Sequence, residues 1–320
     1  METISFTKQI KEELVALEFT RLIKLSILGA LIKNGASYRF EKGKTVLSFK
    51  TENAHVAKFI YQIIKSINDE AKVSFSYRKK MKLYKTTEYL VNLTSEVEKI
   101  LEELNIDLLD YKIPYNLTNK EEKIKGYFLG LFLMSGSCNS PNSSNYHLEI
   151  SCSNEEDAKN ILKLIAKNKI YSFDFKMIKR RSQYIVYLKK SDQIASFLAY
   201  IDANYSCLEF ENIRLDRDYA NINNRLINCD TYNYKKTIQK AYQQLETIKL
   251  INEKLGIKNI ANEKVKALCL LRIEHPEATY LELAELLGEA LSAKVSKSNI
   301  NHLFIKINEI AEGIMYGRHN

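Results

Sequence analysis

The residues best suited to chemistry with a partner stand near the C-terminus, in a short polar run. Asn301 and His302 are adjacent, and Ser298 precedes them by about one helical turn. The amide of Asn can bond adenine at two atoms, Ser makes adaptable contacts, and Lys pairs with guanine or phosphate. The candidate DNA-binding residues are Lys294, Ser296, Lys297, Ser298, Asn299, Asn301, His302 and Lys306. Their types and spacing predict contacts with the base edges and phosphates of DNA.

A helix is needed to hold these side chains on one face, and the same region predicts it. Its apolar stripe consists of Ile300, Leu303, Phe304, Ile307, Ile310, Ala311 and Ile314. This spacing is typical of one buried helix face, and Ser296 can cap the first turn. Two helices are predicted before it: one over 263–274, and one from the capping box of Thr279 and Glu282 to Gly288. Three short helices with a compact turn before the last predict a helix-turn-helix; a small bundle with a solvated face is the alternative.

Two further groups of cations stand at the tips of predicted hairpins earlier in the chain. Lys79, Lys80 and Lys82 form one group, and Arg180 and Arg181 form the other. Cations placed in this way attract phosphates without reading the base sequence. We interpret them as candidate non-specific DNA contacts. Two solvated turns are the alternative, because lysines favour hairpin tips in any soluble protein.

The two hairpins occupy matching places in an internal repeat. The segments Ile27–Gly35 and Phe128–Gly136 are both apolar, both carry a central glycine (Gly29 or Gly130), and both end in glycine. Each precedes signals for two strands, a helix, two strands and a final helix, so the topology is αββαββα, twice. A glycine inside a helix costs ~1 kcal/mol relative to alanine. Its matching position therefore predicts two helices whose backbones pack closely against each other.

This constellation resembles the LAGLIDADG homing-endonuclease fold, in which two such helices form the central interface and two four-stranded sheets make a saddle over DNA. The resemblance implies an acidic residue just before the last glycine of each helix, where two carboxylates bind the metals that cleave DNA. Those positions are Asn34 and Ser135 here, and neither carries a charge. Mg²⁺ requires negative oxygen ligands to activate water. We therefore expect a non-enzyme that keeps the fold, with no catalytic residues and with neither metal nor cofactor.

A degenerate LAGLIDADG pair followed by a C-terminal helix-turn-helix is the arrangement of the bacterial WhiA family, which this chain resembles over essentially its whole length. The stretches that carry the resemblance include Ser5–Thr7, Lys11–Leu14, Asn224–Cys229, Arg272–Glu277, Ser296–His302 and Lys306–Glu312. The resemblance implies a sequence-specific regulator of transcription that binds double-stranded DNA. It also implies a connection with cell division and chromosome segregation, and with sporulation in lineages that form spores.

Two other functions stay open at this point. An active metal-dependent endonuclease would need displaced acids, such as Glu149 or Asp174, beside the helix ends. A nucleoid adaptor would bind DNA through its tail and another protein through its LAGLIDADG-like domain. An RNA-binding role is weaker, because no RRM or KH signature is present.

Composition agrees with a DNA partner and sets the expected organisation. The 320 residues include 48 Lys and Arg against 39 acids, a formal charge of +9, which suits a polyanion. No apolar run approaches the ~20 residues that a membrane-spanning helix needs, and no signal peptide is evident, so we expect a cytoplasmic, nucleoid-associated protein. The five cysteines form no CxxC pair, which disfavours a zinc ribbon.

The expected fold class is α+β, with a duplicated saddle domain followed by an all-α domain. We expect a LAGLIDADG-like domain over 1–205, with repeats at about 1–105 and 120–205. A helical linker over 206–258 and a helix-turn-helix domain over 259–320 are expected to follow.

Overall fold

The computed structural model describes residues 4–41, 43–81, 85–167 and 173–316. These residues divide into two compact units, one up to Asp218 and the other from Tyr219 onward. No helix within the described ranges is both long enough and apolar enough to cross a membrane.

The first unit contains the predicted repeat. Its first copy comprises α2 (Arg21–Gly35), β1 (Ala36–Glu41), β2 (Lys44–Thr51), α3 (Ala54–Ile67), β3 (Val73–Met81), β4 (Lys85–Leu93) and α4 (Val97–Leu104). Its second copy comprises α5 (Glu121–Ser135), β5 (Gly136–Cys138), β6 (Leu148–Cys152), α6 (Glu155–Lys167), β7 (Lys176–Arg180), β8 (Gln183–Leu188) and α7 (Ser191–Tyr200). Both sheets are antiparallel, with the orders β1-β2-β4-β3 and β5-β6-β8-β7. The αββαββα prediction is therefore confirmed for both copies.

A helix that the repeat did not predict, α1 (Phe6–Val15), precedes the first copy. Its buried face consists of Phe6, Ile10 and Leu14, spaced four residues apart. On its other side, the Glu13 carboxylate accepts hydrogen bonds from the backbone N–H groups of Tyr205 (2.7 Å) and Ser206 (2.9 Å). These N–H groups begin the long helix α8 (Asn204–Lys254) and lack partners within their own helix. Glu13 therefore caps a helix that lies far away in the sequence.

The central helices α2 and α5 pack against each other through small residues. A Cβ atom on Gly130 would lie 2.6 Å from the carbonyl oxygen of Ile27 and 2.8 Å from the Cβ of Ala30. On Gly126, one turn earlier, it would lie 3.2 Å from the carbonyl oxygen of Ile23. The predicted close approach is thus confirmed at Gly130. It is wrong for Gly29, which faces the side chain of Leu117 in the connection between the repeats.

The second unit holds three short helices after the end of α8: α9 (Glu263–Glu274), α10 (Tyr280–Leu291) and α11 (Lys297–Met315). The predicted apolar stripe of α11 is confirmed, because five of its seven side chains are buried and Ile310 and Ile314 pack against the same core. The capping box of Thr279 and Glu282 is present. The predicted end of α10 at Gly288 is wrong. The helix continues to Leu291, and a Cβ on Gly288 would lie only 2.9 Å from the carbonyl oxygen of Ala293.

Helix α8 contributes to both cores. Phe210 near its start is buried in the first unit, and Ile248 and Ile251 near its end are buried in the second. Between them, residues 218–236 are all exposed. The domain boundaries expected from the sequence remain a prediction.

Candidate nucleic-acid interfaces

The two positions that carry acids in the resembling nucleases lie at the ends of α2 and α5. The Nδ2 atom of Asn34 donates a hydrogen bond to the carbonyl oxygen of Ala30 at 3.2 Å. The Oγ atom of Ser135 donates to the carbonyl oxygen of Leu131, also at 3.2 Å. Both side chains are therefore bonded to the preceding turn of their own helix. An amide and a hydroxyl in these places supply none of the negative charge that a hard cation requires.

The displaced acids of the endonuclease alternative are paired with cations. Oxygen Oε2 of Glu149 lies 2.8 Å from Nε2 of His147 and 3.0 Å from Nη1 of Arg180. Asp174 forms an ion pair with Lys190 at 3.5 Å. Among the described residues, no group of three or more His, Cys, Asp or Glu side chains is placed to hold a metal ion. The observed arrangement thus offers Glu149 and Asp174 to basic side chains rather than to a metal.

A half-buried cation lies beside α5. The Nζ atom of Lys11 stands 6.0 Å from the ring centre of Phe132, and burial lowers the pKa of Lys11 to about 8. Taking an ammonium group out of water costs free energy unless an anion compensates it. The ammonium group of Lys11 therefore lies in a setting that disfavours its charge.

On the first sheet, the face turned away from the core carries two arginines that already have partners. Arg39 lies 2.6 Å from Oε1 of Glu41 and donates to Oγ of Ser48 at 2.7 Å. Arg78 lies 2.5 Å from Oε2 of Glu88, its register partner on the neighbouring strand. An arginine whose charge is matched by a carboxylate attracts a phosphate less strongly than a free one.

The cations that are predicted to contact phosphate at the hairpin tips also differ in whether a carboxylate is paired with them. Arg180 is paired with Glu149, whereas Lys79 and Arg181 are exposed and form no ion pair among the described residues. Arg181 sits in the turn between β7 and β8 with a φ of 55°. Lys80 belongs to β3, but its side chain and the whole of Lys82 lie outside the described part of the chain.

In the second unit, the fold places the predicted reading residues together on one side of α11. Ser296 caps the helix by accepting a hydrogen bond from the N–H of Asn299 at 3.2 Å. All eight candidates are exposed, namely Lys294, Ser296, Lys297, Ser298, Asn299, Asn301, His302 and Lys306. The side chains of Ser298, Asn301 and His302 form no hydrogen bond with any described residue. Their donors and acceptors are free for a partner in the way that base readout requires.

Packing beneath α11 fixes its position. Arg272 of α9 is 1 % exposed, and its Nη1 atom donates to the carbonyl oxygen of Ala278 at 2.7 Å. Its guanidinium also lies 5.5 Å from the ring centre of Phe304 in α11, and burial lowers the pKa of this group. The ring of Tyr280 stacks on the same Phe304 at 5.4 Å. Arg272 therefore ties the connection between α9 and α10 to the helix that carries the candidate residues.

Two residues that the sequence did not single out stand next to these candidates. Lys240 and Gln243 of α8 line a shallow recess with Asn301 and Ile305 of α11. Lys240 is exposed, so it adds a positive charge beside the first half of α11. No sequence signal could have identified it, because Lys240 lies far before α11 in the chain and reaches this recess only through the packing of α8 beside α11.

The connection between α9 and α10 has the opposite charge. A recess there is lined by five glutamates, namely Glu274, Glu277, Glu282, Glu285 and Glu289. Phosphates avoid such a surface, whereas Lys294, Lys297 and Lys306 stand at α11 and the turn before it. Within the second unit, α11 and the turn before it therefore carry exposed positive charges, whereas the connection between α9 and α10 is acidic.

Three family models match the chain. The WhiA N-terminal LAGLIDADG-like domain matches residues 23–107, and the WhiA LAGLIDADG-like domain matches residues 124–220. The WhiA C-terminal HTH domain matches residues 223–311. Together these models cover both repeats and the three helices that follow α8.

Curated relatives match over nearly the full length. A protein of Oceanobacillus iheyensis named "Probable cell division protein WhiA" is 38% identical over 318 residues, which is 98% of this chain and 99% of that protein. Proteins of the same name from Enterococcus faecalis and Staphylococcus aureus are 38% and 34% identical, over 97% and 98% of this chain and 98% of each relative.

Solved structures agree with the fold. The crystal structure of full-length WhiA from Thermatoga maritima covers 98% of this chain and 99% of that chain, with a TM-score of 0.59 and 24% identity. The structure of the N-terminal LAGLIDADG domain of WhiA covers 62% of this chain and 90% of that chain, with a TM-score of 0.50 and 21% identity. These likenesses extend the match from sequence to three-dimensional structure.

Proposed function

We propose that this chain, which belongs to the WhiA family, is a sequence-specific regulator that binds double-stranded DNA without cleaving it. Its relatives are named as cell division proteins, and we extend that role to this chain. The proposed role includes control of transcription, with effects on chromosome segregation and, in organisms that form spores, on sporulation. Such a protein acts in the cytoplasm, on the nucleoid.

One observation carries the proposal: the free polar surface of α11. A domain that belongs to the helix-turn-helix class inserts the first half of its last helix into the major groove. In this chain that half presents Ser298, Asn301 and His302 to solvent, with Lys297 and Lys306 beside them. Unbonded amide, imidazole and hydroxyl groups supply base readout, and the lysines supply attraction to phosphate.

The absence of cleavage is proposed from the ends of α2 and α5. Metal-assisted phosphodiester hydrolysis requires carboxylates at the metal, and Asn34 and Ser135 supply none. Both side chains are bonded to their own helices, and Glu149, an acid that the endonuclease alternative would use, is paired with Arg180. In this proposal, helices α2 and α5 stabilise the fold by packing against each other and take no part in cleavage.

The first unit is assigned a weak, non-specific grip on DNA. Lys79 and Arg181 are exposed at its hairpin tips, and they support this assignment more strongly than Arg180, whose charge Glu149 matches. The grip adds affinity without sequence preference, because phosphate contacts position a protein on DNA but do not read bases. A surface for a protein partner is the alternative role of the same unit.

The proposal is tested by selecting duplexes from fragmented genomic DNA with the full chain in the presence of Mg²⁺. We expect a short shared motif among the bound fragments, and we expect those fragments to stay intact. A bound pool without a shared motif would refute sequence-specific binding. Cleavage that survives repurification and disappears in Glu149→Gln would establish the endonuclease alternative instead.

The grip of the first unit is tested in the full chain with the double variant Lys79→Ala and Arg181→Ala. We expect weaker binding to a random duplex at low salt, with the salt dependence reduced by ~1 per lost contact. Lys58→Ala is the matched control, because Lys58 is an exposed lysine on α3, away from the hairpins. Equal binding by both variants would leave the first unit as a scaffold or a protein-binding surface.

A further inference from the structure

The middle of α8 carries an unbroken run of exposed residues. Every residue from 218 to 236 is exposed. A helix surrounded by water is expected to be polar all round, yet this segment carries large apolar side chains. Tyr219, Ile222 and Leu226 are 67%, 53% and 58% exposed. Such a helix gains stability by burying these side chains against a partner.

Three of these apolar side chains, together with Cys229 and Asn233, have the alternating spacing of a coiled-coil interface, whereas Ile227, Tyr232 and Tyr234 occupy other heptad positions. Tyr219, Ile222, Leu226, Cys229 and Asn233 follow one another at intervals of three, four, three and four residues. In heptad terms, Tyr219, Leu226 and Asn233 occupy a positions, while Ile222 and Cys229 occupy d positions. With 3.6 residues per helical turn, these five side chains line one face, which we call the α8 seam.

Polar residues in and beside the α8 seam favour a partner of the same sequence. An Asn at one a position, here Asn233, selects two strands and a fixed register, since each amide can bond its counterpart. Arg225 occupies a g position and Asp230 the following e position, which face each other across a parallel pair of helices. Both are exposed, and neither forms an ion pair with a described residue. In a parallel pair of identical helices, Arg225 of each copy therefore faces Asp230 of the other copy, so that opposite charges meet on both sides of the interface.

We propose that the α8 seam pairs with the α8 seam of a second copy of this chain, as a parallel, in-register, two-stranded coiled coil. The interface is isologous, so each seam residue meets its own counterpart. The seam spans about two heptads, so the dimer is weak in free solution. Two adjacent half-sites on DNA strengthen it by holding both copies together. The inference is independent of the proposed DNA function, because pairing is measured without DNA.

Cys229 provides a chemical readout of the pairing. It is the exposed cysteine among the five of the chain. Cys138, Cys152 and Cys269 are buried, and burial raises the pKa of each thiol to about 12, while Cys207 is partly buried. In-register pairing brings the two Cys229 thiols together at a d position. A thiol-selective cross-linker therefore reports on the seam in the unmodified protein.

The test treats the full chain, without DNA, with a short bismaleimide and separates the products on a denaturing gel. We expect a covalent dimer from the wild-type chain and none from Cys229→Ser. Sedimentation over a range of concentrations should show a monomer–dimer equilibrium. A monomer at every concentration with no cross-linked product would overturn the proposal. So would a trimer or tetramer, which Leu at a with Ile at d tends to favour.

A pair of neighbouring variants separates the seam from random collision of thiols. Leu226→Glu places two carboxylates face to face at an a layer, and we expect it to abolish the cross-linked dimer. Ile227→Glu is the matched control, because Ile227 is 62% exposed but points away from the seam. We expect this variant to cross-link as the wild type does. Cross-linking that persists in Leu226→Glu, with the helix content unchanged, would refute pairing through the α8 seam.

Discussion

The ends of α2 and α5 and the start of α11 carry similar polar side chains, and the fold uses them differently. Asn34 and Ser135 each donate a hydrogen bond to the carbonyl four residues earlier in their own helix. Asn301 and His302 are exposed and form no hydrogen bond with any described residue. The amide of Asn34 is thus hydrogen-bonded within its own helix, whereas the amide of Asn301 is available to a partner.

This difference concerns which polar side chains are available to a partner. Residue type alone does not distinguish Asn34 from Asn301, since both can bond a base. What distinguishes them is whether the surrounding backbone already satisfies the side chain, because a free donor gains more from a new partner than a bonded one.

The first prediction concerns the free side chains of α11. Asn301→Ala and His302→Ala should each weaken binding to the selected site by ~1–3 kcal/mol, with little change in affinity for random DNA. Asn308→Ala is the matched control, because Asn308 lies two turns further along the same side of α11 and is also exposed. Titration of labelled duplexes measures all three. Equal losses for Asn301→Ala and Asn308→Ala would mean that the first half of α11 is not the reading surface.

The second prediction concerns the packing role of α2 and α5. Gly130→Ala should destabilise the first unit by ~1–3 kcal/mol, because the added methyl overlaps the backbone of Ile27. Gly29→Ala should cost less, since its methyl meets the flexible side chain of Leu117. Hydrogen exchange of the α2 and α5 amides measures the difference locally. If Gly29→Ala proved the more damaging variant, the asymmetry of the two central glycines would be disproved.

The third prediction separates attraction from reading within α11. Lys297→Ala and Lys306→Ala should weaken binding to specific and random duplexes alike, and each should reduce the salt slope by ~1. Lys249→Ala, which removes an exposed charge from α8, is the control. A loss confined to the selected site would instead assign Lys297 or Lys306 to base readout.

The fourth prediction concerns the pH dependence of stability caused by Lys11. The pKa of Lys11 falls from 10.5 in the unfolded chain to about 8 in the folded protein. Between these values the unfolded chain binds more protons, so the wild type gains stability as pH rises from about 8 to about 10.5. Lys11→Met should therefore be more stable than the wild type at pH 7, and this advantage should shrink across that interval. Thermal unfolding of both chains at each pH measures it; a constant difference would show that the Lys11 ammonium is not desolvated.

Much of the architecture could be predicted from local pattern. Apolar periods of about two and 3.6 residues report directly which faces a strand or helix buries, and both repeats of αββαββα follow from them. The stripe of α11 is predictable for the same reason, and with it the exposed position of Asn301 and His302. The error at Gly288 was also local. A glycine often ends a helix, whereas Gly288 lies inside α10 and leaves room for the carbonyl oxygen of Ala293, which passes close to it.

Contacts between distant residues could not be predicted in this way. Glu13 caps α8 across 192 residues of sequence, and Gln9 bonds Glu209 across 200. Arg180 pairs with Glu149, and Lys240 lies beside Asn301 through the packing of α8 against α11. No periodicity encodes such pairs, because they depend on how whole elements pack.

The amino-acid sequence by itself determined the order of helices and strands, the repeat, the loss of both carboxylates and the polar face of α11. Hydrophobic burial acts on each segment through its own spacing, so these features are readable residue by residue. Tertiary structure alone decided which charges are free and which are matched, which glycine lets two backbones meet, and which stretch of α8 is left uncovered. Those outcomes depend on distances between elements, and a distance exists only once the elements have packed.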